Sequence, residues 1–133
     1  MDKQKFSRIF SRQALKKIFP PSKTERFFEA LFGDPEEGAY DIELKFNTLI
    51  DNRLEFEFQL KQRPGRCLAC NLTYGLPQVF QRHPIIDVEG IITKISEMIP
   101  EINITGWELG YTKEISPSLH VIPLTLFFIK EEN

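Results

Sequence analysis

The sequence predicts an α+β fold: N-terminal helices, a three-stranded antiparallel meander, a core helix and then two further antiparallel strands (α-βββ-α-ββ), with the helix packed on one sheet face. Three observations carry this expectation. Apolar residues recur at helical spacing from Phe6 to Phe32, alternate with polar ones from Tyr40 to Leu60, and return to helical spacing from Val88 to Ile99. Turn chemistry, Asp51-Asn52 and Pro64-Gly65, separates the alternating runs. The order of these patterns separates the helices from the strands instead of interleaving them, which is the α+β arrangement.

Taken in order, Phe6, Ile9, Phe10, Leu15, Ile18 and Phe19 form the apolar side of a basic helical segment, with Ser11 placed to interrupt it or to cap a second short helix over 12–19. Pro20-Pro21 ends that segment. Ser22 and Glu25 read as a capping box opening a helix through Phe27, Phe28, Leu31 and Phe32, and Gly33 as its left-handed stop. Tyr40, Ile42, Leu44 and Phe46 then alternate with Asp41, Glu43 and Lys45, and Leu54, Phe56, Phe58 and Leu60 with Glu55, Glu57 and Gln59. A third strand is expected over Arg66–Tyr74, with Leu68, Cys70, Leu72 and Tyr74 on one face. Residues 75–84 form a loop. The helix expected over 85–99 buries Val88, Ile91, Ile92, Ile95, Met98 and Ile99, with Asp87 as N-cap and Pro100 as terminator. A fourth strand is expected over 104–112 and a fifth over 119–130. The fifth is apolar on both faces, a pattern that calls for a cover on each. Pro123 marks it as an edge strand and so as a candidate dimer contact.

A chain of 133 residues fits one domain, with residues 1–33 as a helical segment and 40–130 as the sheet-and-helix body. No apolar run is long enough to span a membrane, and Met1-Asp2-Lys3 does not open a secretory signal, so a cytoplasmic location is expected. The net charge of −2 conceals an asymmetry: residues 1–26 hold eight basic and two acidic side chains, the rest nine basic and seventeen acidic. Such a basic start can meet nucleic acid or an anionic surface, or dock on the chain's own acidic body. Twelve phenylalanines predict a packed core and apolar surface left over for a partner.

The two cysteines stand as Cys67-Leu68-Ala69-Cys70. With His83, and His120 as a more distant fourth, they are the candidate metal set, and zinc is the ion that thiolate and imidazole ligands select. If 66–74 is a strand, however, the two thiols point to opposite faces and cannot share an ion. A redox role needs a lowered thiol pKa, which a following helix would supply and a strand would not. The remaining reading is that Cys70 is a small buried hydrophobe and Cys67 a neutral filler, with no cofactor. A candidate catalytic pocket gathers Tyr74, Gln78, Arg82 and His83 in the 74–84 loop against the core helix, with His83 as its one general base. No G-x-G-x-x-G, P-loop, G-x-S-x-G or H-E-x-x-H motif is present, which weighs against the common enzyme classes.

The stretches from Phe19-Pro20-Pro21 through Phe27-Phe28-Glu29-Ala30-Leu31-Phe32-Gly33, and Arg63-Pro64-Gly65-Arg66-Cys67-Leu68-Ala69-Cys70 on to Pro77, resemble a small uncharacterised bacterial protein family over most of the chain. Some of its members carry a homeobox label. The chain has no helix reading W-F-x-N-x-R and no basic recognition surface beyond residues 1–26. The resemblance implies no activity and no site residue. In element order the chain is similar to type III secretion chaperones, homodimers that wrap a partner segment over exposed apolar patches. The expectation is therefore a non-enzymatic binding module, homodimeric through its C-terminal strand or N-terminal helices and chaperone-like, or binding another protein. The alternatives are a zinc-binding protein and a small enzyme.

Overall fold

The computed structural model describes residues 3–70 and 73–131. Three helices open the chain: α1 (Lys3–Ile9), α2 (Arg12–Ile18) and α3 (Pro21–Phe32). Ser11 separates the first two, and its hydroxyl accepts from the Ala14 N–H at 3.2 Å as the cap of α2. The capping box expected at Ser22 and Glu25 does not form. Pro20 is the N-cap and Pro21 the first helical residue, where a missing N–H costs nothing because no carbonyl precedes it in the helix. Gly33 closes α3 at φ 78°, its N–H donating to the Glu29 carbonyl at 2.7 Å.

The sheet holds β1 (Tyr40–Ile50), β2 (Arg53–Gln62), β3 (Ile102–Leu109), β4 (Lys113–Ser116) and β5 (Leu119–Lys130), all antiparallel, in the order β1-β2-β5-β3 with β4 also paired to β5. Asp51 takes a positive φ of 51° in the two-residue turn between β1 and β2. Helices α4 (Leu76–Arg82) and α5 (Val88–Met98) lie between β2 and β3 in the chain, so the stretch 75–84 expected as a loop is mostly helix, with Pro77 in the first turn where its missing N–H is tolerated. Asp87 is the N-cap of α5, accepting from Gly90 N–H at 3.1 Å, and a Cβ on Gly90 would collide with that carboxylate.

The α+β layout and the five antiparallel strands stand as expected, with one strand redistributed. Among the described residues of 66–74 there is no strand. Strand β2 already has β1 on one side and β5 on the other, so no slot remains beside it for a sequential third strand. Gly65, at φ 74°, turns the chain away instead. The missing strand reappears as β4, in line with β3 along the same side of β5.

Strand β5 is thus interior, not an edge, and Pro123 is tolerated there for a local reason. Its carbonyl accepts from Gly110 N–H at 2.8 Å, so its donor-less nitrogen faces the same side, where β3 has ended and β4 has not begun. At the far edge, the buried Thr24 hydroxyl of α3 bonds both the N–H and the carbonyl of Ile42, each at 3.4 Å. A helix side chain thereby occupies that point of the edge strand's exposed backbone.

One contiguous core joins the helices to one face of the sheet. Leu54, Phe56, Phe58 and Leu60 of β2 and Ile122, Leu124, Leu126 and Phe128 of β5 form its floor. An aromatic chain ties the layers together. Phe58 meets Phe19 at 5.7 Å and Phe80 at 5.3 Å, both edge-to-face, and Phe27 meets Phe80 at 5.6 Å. Packing follows from alternation: each inward residue of β1 and β2 has an outward polar neighbour.

Candidate functional site

The outward face of the sheet carries no helix and divides into two halves. Its β1–β2 half presents Glu43, Lys45, Arg53, Glu55, Glu57 and Lys61, with both signs interspersed. Glu43 accepts from Arg12 Nε at 2.9 Å and from Lys61 Nζ, with Lys45 Nζ at 3.5 Å. Burial pushes the Glu43 carboxyl up, but the Lys61 hydrogen bond and the charges of Lys61, Lys45 and Arg12 outweigh it and hold the group below the usual carboxylate range.

The β5 half is apolar. Val121, Pro123, Phe127 and Ile129 point outward from β5 with Thr125 among them, Val121 already only 5% exposed, and Tyr111 and Ile115 flank it from the β3–β4 side. Tyr111 is 88% exposed, Ile115 60% and Ile129 53%. Single exposed hydrophobes are ordinary. Tyr111, Ile115 and Pro123 line one shallow cleft over the buried Val121, together with the polar Asn47, Glu55, Glu57, Lys113 and Thr125.

Beside this face, at the turn into β5, lies a buried polar group that the sequence reading placed only as a remote zinc ligand. His120 is 1% exposed, and its Nδ1 lies 2.8 Å from Thr73 Oγ1. The Thr73 carbonyl accepts from the buried Thr112 hydroxyl at 2.6 Å. The other ring nitrogen, Nε2, is buried. That nitrogen has no hydrogen-bond partner among the described residues and faces Glu114 Oε1 at 3.8 Å. The trio pins the loop after β2 to the start of β5. Alternation could have flagged His120, since Ile122 and Leu124 place it on the core face.

The residues of the expected loop pocket do not converge. Tyr74, Gln78 and Arg82 are exposed, the latter two one turn apart on α4. His83 turns to the core instead, its ring edge-to-face on Phe27 at 4.9 Å and its Nδ1 accepting from Ile85 N–H at 3.2 Å. The cysteines are neither buried nor filler. Both are exposed and joined in a disulfide, and Cys70 N–H lies 3.2 Å from Cys67 Sγ. Among the described residues no three His, Cys, Asp or Glu side chains are grouped to hold a metal ion. Cys67, Cys70 and His83 are therefore not brought together as a ligand set.

The basic N-terminal segment is partly docked on the acidic body: Lys5 pairs with Glu101 at 3.0 Å, Arg12 with Glu43, and Lys23 Nζ donates to the Ile86 carbonyl at 3.1 Å. Lys3, Arg8, Lys16, Lys17 and Arg26 remain exposed. Among the described residues no helix is long and apolar enough to cross a membrane. No protein-family profile, curated protein or solved structure matches the chain.

Proposed function

We propose that this chain is a binding module that pairs with a second copy of itself through the bare face of its sheet. The observation that supports this is the exposed apolar pair Tyr111 and Ile115 beside Pro123 and Val121, on a sheet face that no helix among the described residues covers. β5 is apolar on both faces, and the helices bury only one of them.

The occupant follows from charge and area. Both signs alternate on the β1–β2 half, so a polymer of single charge gains little there, while a two-fold copy meets opposite as well as like charges. A twelve-residue strand in a sheet four rows wide offers about 700 Å² of face at ordinary strand rise and spacing. That is close to the roughly 800 Å² per partner of a standard stable interface. A chaperone-like role fits the same architecture, with Leu31 and Phe32 of α3, two of the exposed apolar side chains away from that face, offered to a client segment. The exposed cations of α1–α3 supply a separate contact for nucleic acid or another anionic surface, one that weakens steeply with salt.

Sedimentation equilibrium tests the reading. A species of twice the chain mass, persisting at high salt, is expected. A monomer at every concentration overturns it.

A further inference from the structure

We propose that Cys67 and Cys70 form a thiol–disulfide exchange site whose substrates are accessible cysteine thiols and disulfides, with Cys67 carrying the mixed disulfide. This inference stands apart from dimerisation and rests on different residues.

Four features of the loop support it. Both cysteines are exposed, which is what a reaction with a partner sulfur needs. They lie three positions apart, so the reduced pair stays close enough to re-close. The frame around them is fixed independently of the disulfide: Leu68 is fully buried, with its N–H donating to Gln62 Oε1 at 3.0 Å, and Thr73 is held by His120 and Thr112. Arg66, just before the pair, is anchored on the Glu36 carbonyl at 2.8 Å. Finally, Cys70 N–H donates toward Cys67 Sγ at 3.2 Å. No helix begins at this motif, yet that N–H does what a helix N-terminus does elsewhere: it stabilises negative charge on the first sulfur. The contact makes Cys67 the better leaving thiolate when a mixed disulfide is resolved, and the more readily ionised thiol when the pair is reduced.

The chemistry balances without a further reagent. A partner thiolate attacks Cys67 Sγ, the Cys67–Cys70 bond breaks, and Cys70 leaves as a thiolate that takes up a proton. A second partner thiolate then attacks the partner sulfur of the mixed disulfide. A partner disulfide closes, and Cys67 leaves as a thiolate beside the Cys70 N–H, to be protonated in turn. Two partner thiols are oxidised and one disulfide of this chain is reduced; the reverse sequence reduces a partner disulfide.

Two measurements on the full chain test this. The first equilibrates the wild-type protein in graded buffers of reduced and oxidised glutathione and counts closed disulfide by mass after alkylation, with circular dichroism in parallel. A reversible transition inside the glutathione range with unchanged secondary structure is expected. A disulfide that stays closed throughout, or a fold lost on reduction, overturns the proposal and leaves a structural cross-link. The second exposes Cys70→Ser and Cys67→Ser to glutathione disulfide and, separately, to a peptide carrying an exposed disulfide. With the backbone donor favouring the Cys67 thiolate, Cys70→Ser should form its mixed disulfide about threefold faster than Cys67→Ser, the gain in thiolate being partly offset by lower nucleophilicity. Reaction with both probes assigns a general thiol site, and reaction with the peptide alone assigns protein thiols as the substrate. Equal rates for the two variants with either probe refute the assignment of Cys67.

Discussion

Reducing the Cys67–Cys70 disulfide should cost the fold little. The bond closes a loop of only four residues, and the chain-entropy relation for so short a loop gives about 2 kcal/mol. Little packing is at stake, because both cysteines are exposed and the buried neighbour, Leu68, keeps its own hydrogen bond to Gln62. A domain of this size has on the order of 5–15 kcal/mol of stability, so the reduced chain stays folded. At a urea dependence of about 2 kcal/mol per molar, the unfolding midpoint should fall by about 1 M. The assay is urea unfolding followed by far-UV circular dichroism, for the oxidised protein, the reduced protein and the double variant Cys67→Ser/Cys70→Ser. The last two should agree. Unfolding on reduction without denaturant would refute the reasoning, because the loop would then be the clamp that holds α4 on the sheet.

Other expectations follow from the same geometry. Phe58→Ala removes a fully buried ring that touches both Phe19 and Phe80 and should cost about 3–5 kcal/mol. A double-mutant cycle with Phe80→Ala should return a coupling of about 1 kcal/mol. Glu43→Gln should destabilise the protein by about 1 kcal/mol at neutral pH. Because the folded state depresses the Glu43 carboxyl, that stabilisation is present above the ordinary carboxylate pKa and is lost as pH falls through the folded value. Urea melts of wild type and variant should therefore differ at pH 7 and converge in acid; a gap that persists there would contradict the assigned charge network. Protein purified under air without chelator should contain no stoichiometric zinc by elemental analysis, since the two sulfurs are bonded to each other and His83 lies against Phe27. One zinc per chain would restore the metal reading and remove the exchange site.

What the sequence disclosed depended on the range of the forces involved. Ser11 and Asp87 as caps and Gly33 as a stop are local events, and each was legible from a few neighbours. Alternation from Tyr40 to Leu60 assigned β1 and β2 with their inward faces. The segment 66–74 misled because β-forming composition does not reveal whether a pairing slot exists, and β2 had already filled both of its sides with β1 and β5. For the same reason Pro123 pointed to an edge: the break between β3 and β4 that accommodates it is a tertiary arrangement. The closure of Cys67 on Cys70 was hidden by that misread strand, which would have sent the two thiols to opposite faces. The signal behind the proposed pairing was legible in the largely apolar outward positions of β5, of which Phe127 and Ile129 stay uncovered by the described helices.

The central claim is that a second copy supplies that cover, and sedimentation of wild type beside Tyr111→Glu/Ile115→Glu tests it most directly. Both side chains are exposed in the protomer, so the double variant should match the wild type in circular dichroism and still unfold cooperatively, its thermal midpoint lowered only by the stabilisation that dimerisation gives the wild type. The wild type should sediment at twice the chain mass, and the variant's dimer should weaken by at least about 100-fold, as expected when two apolar contacts become buried charges. A wild type that stays monomeric at the highest concentration, or a variant that dimerises as tightly as the wild type, would contradict the account.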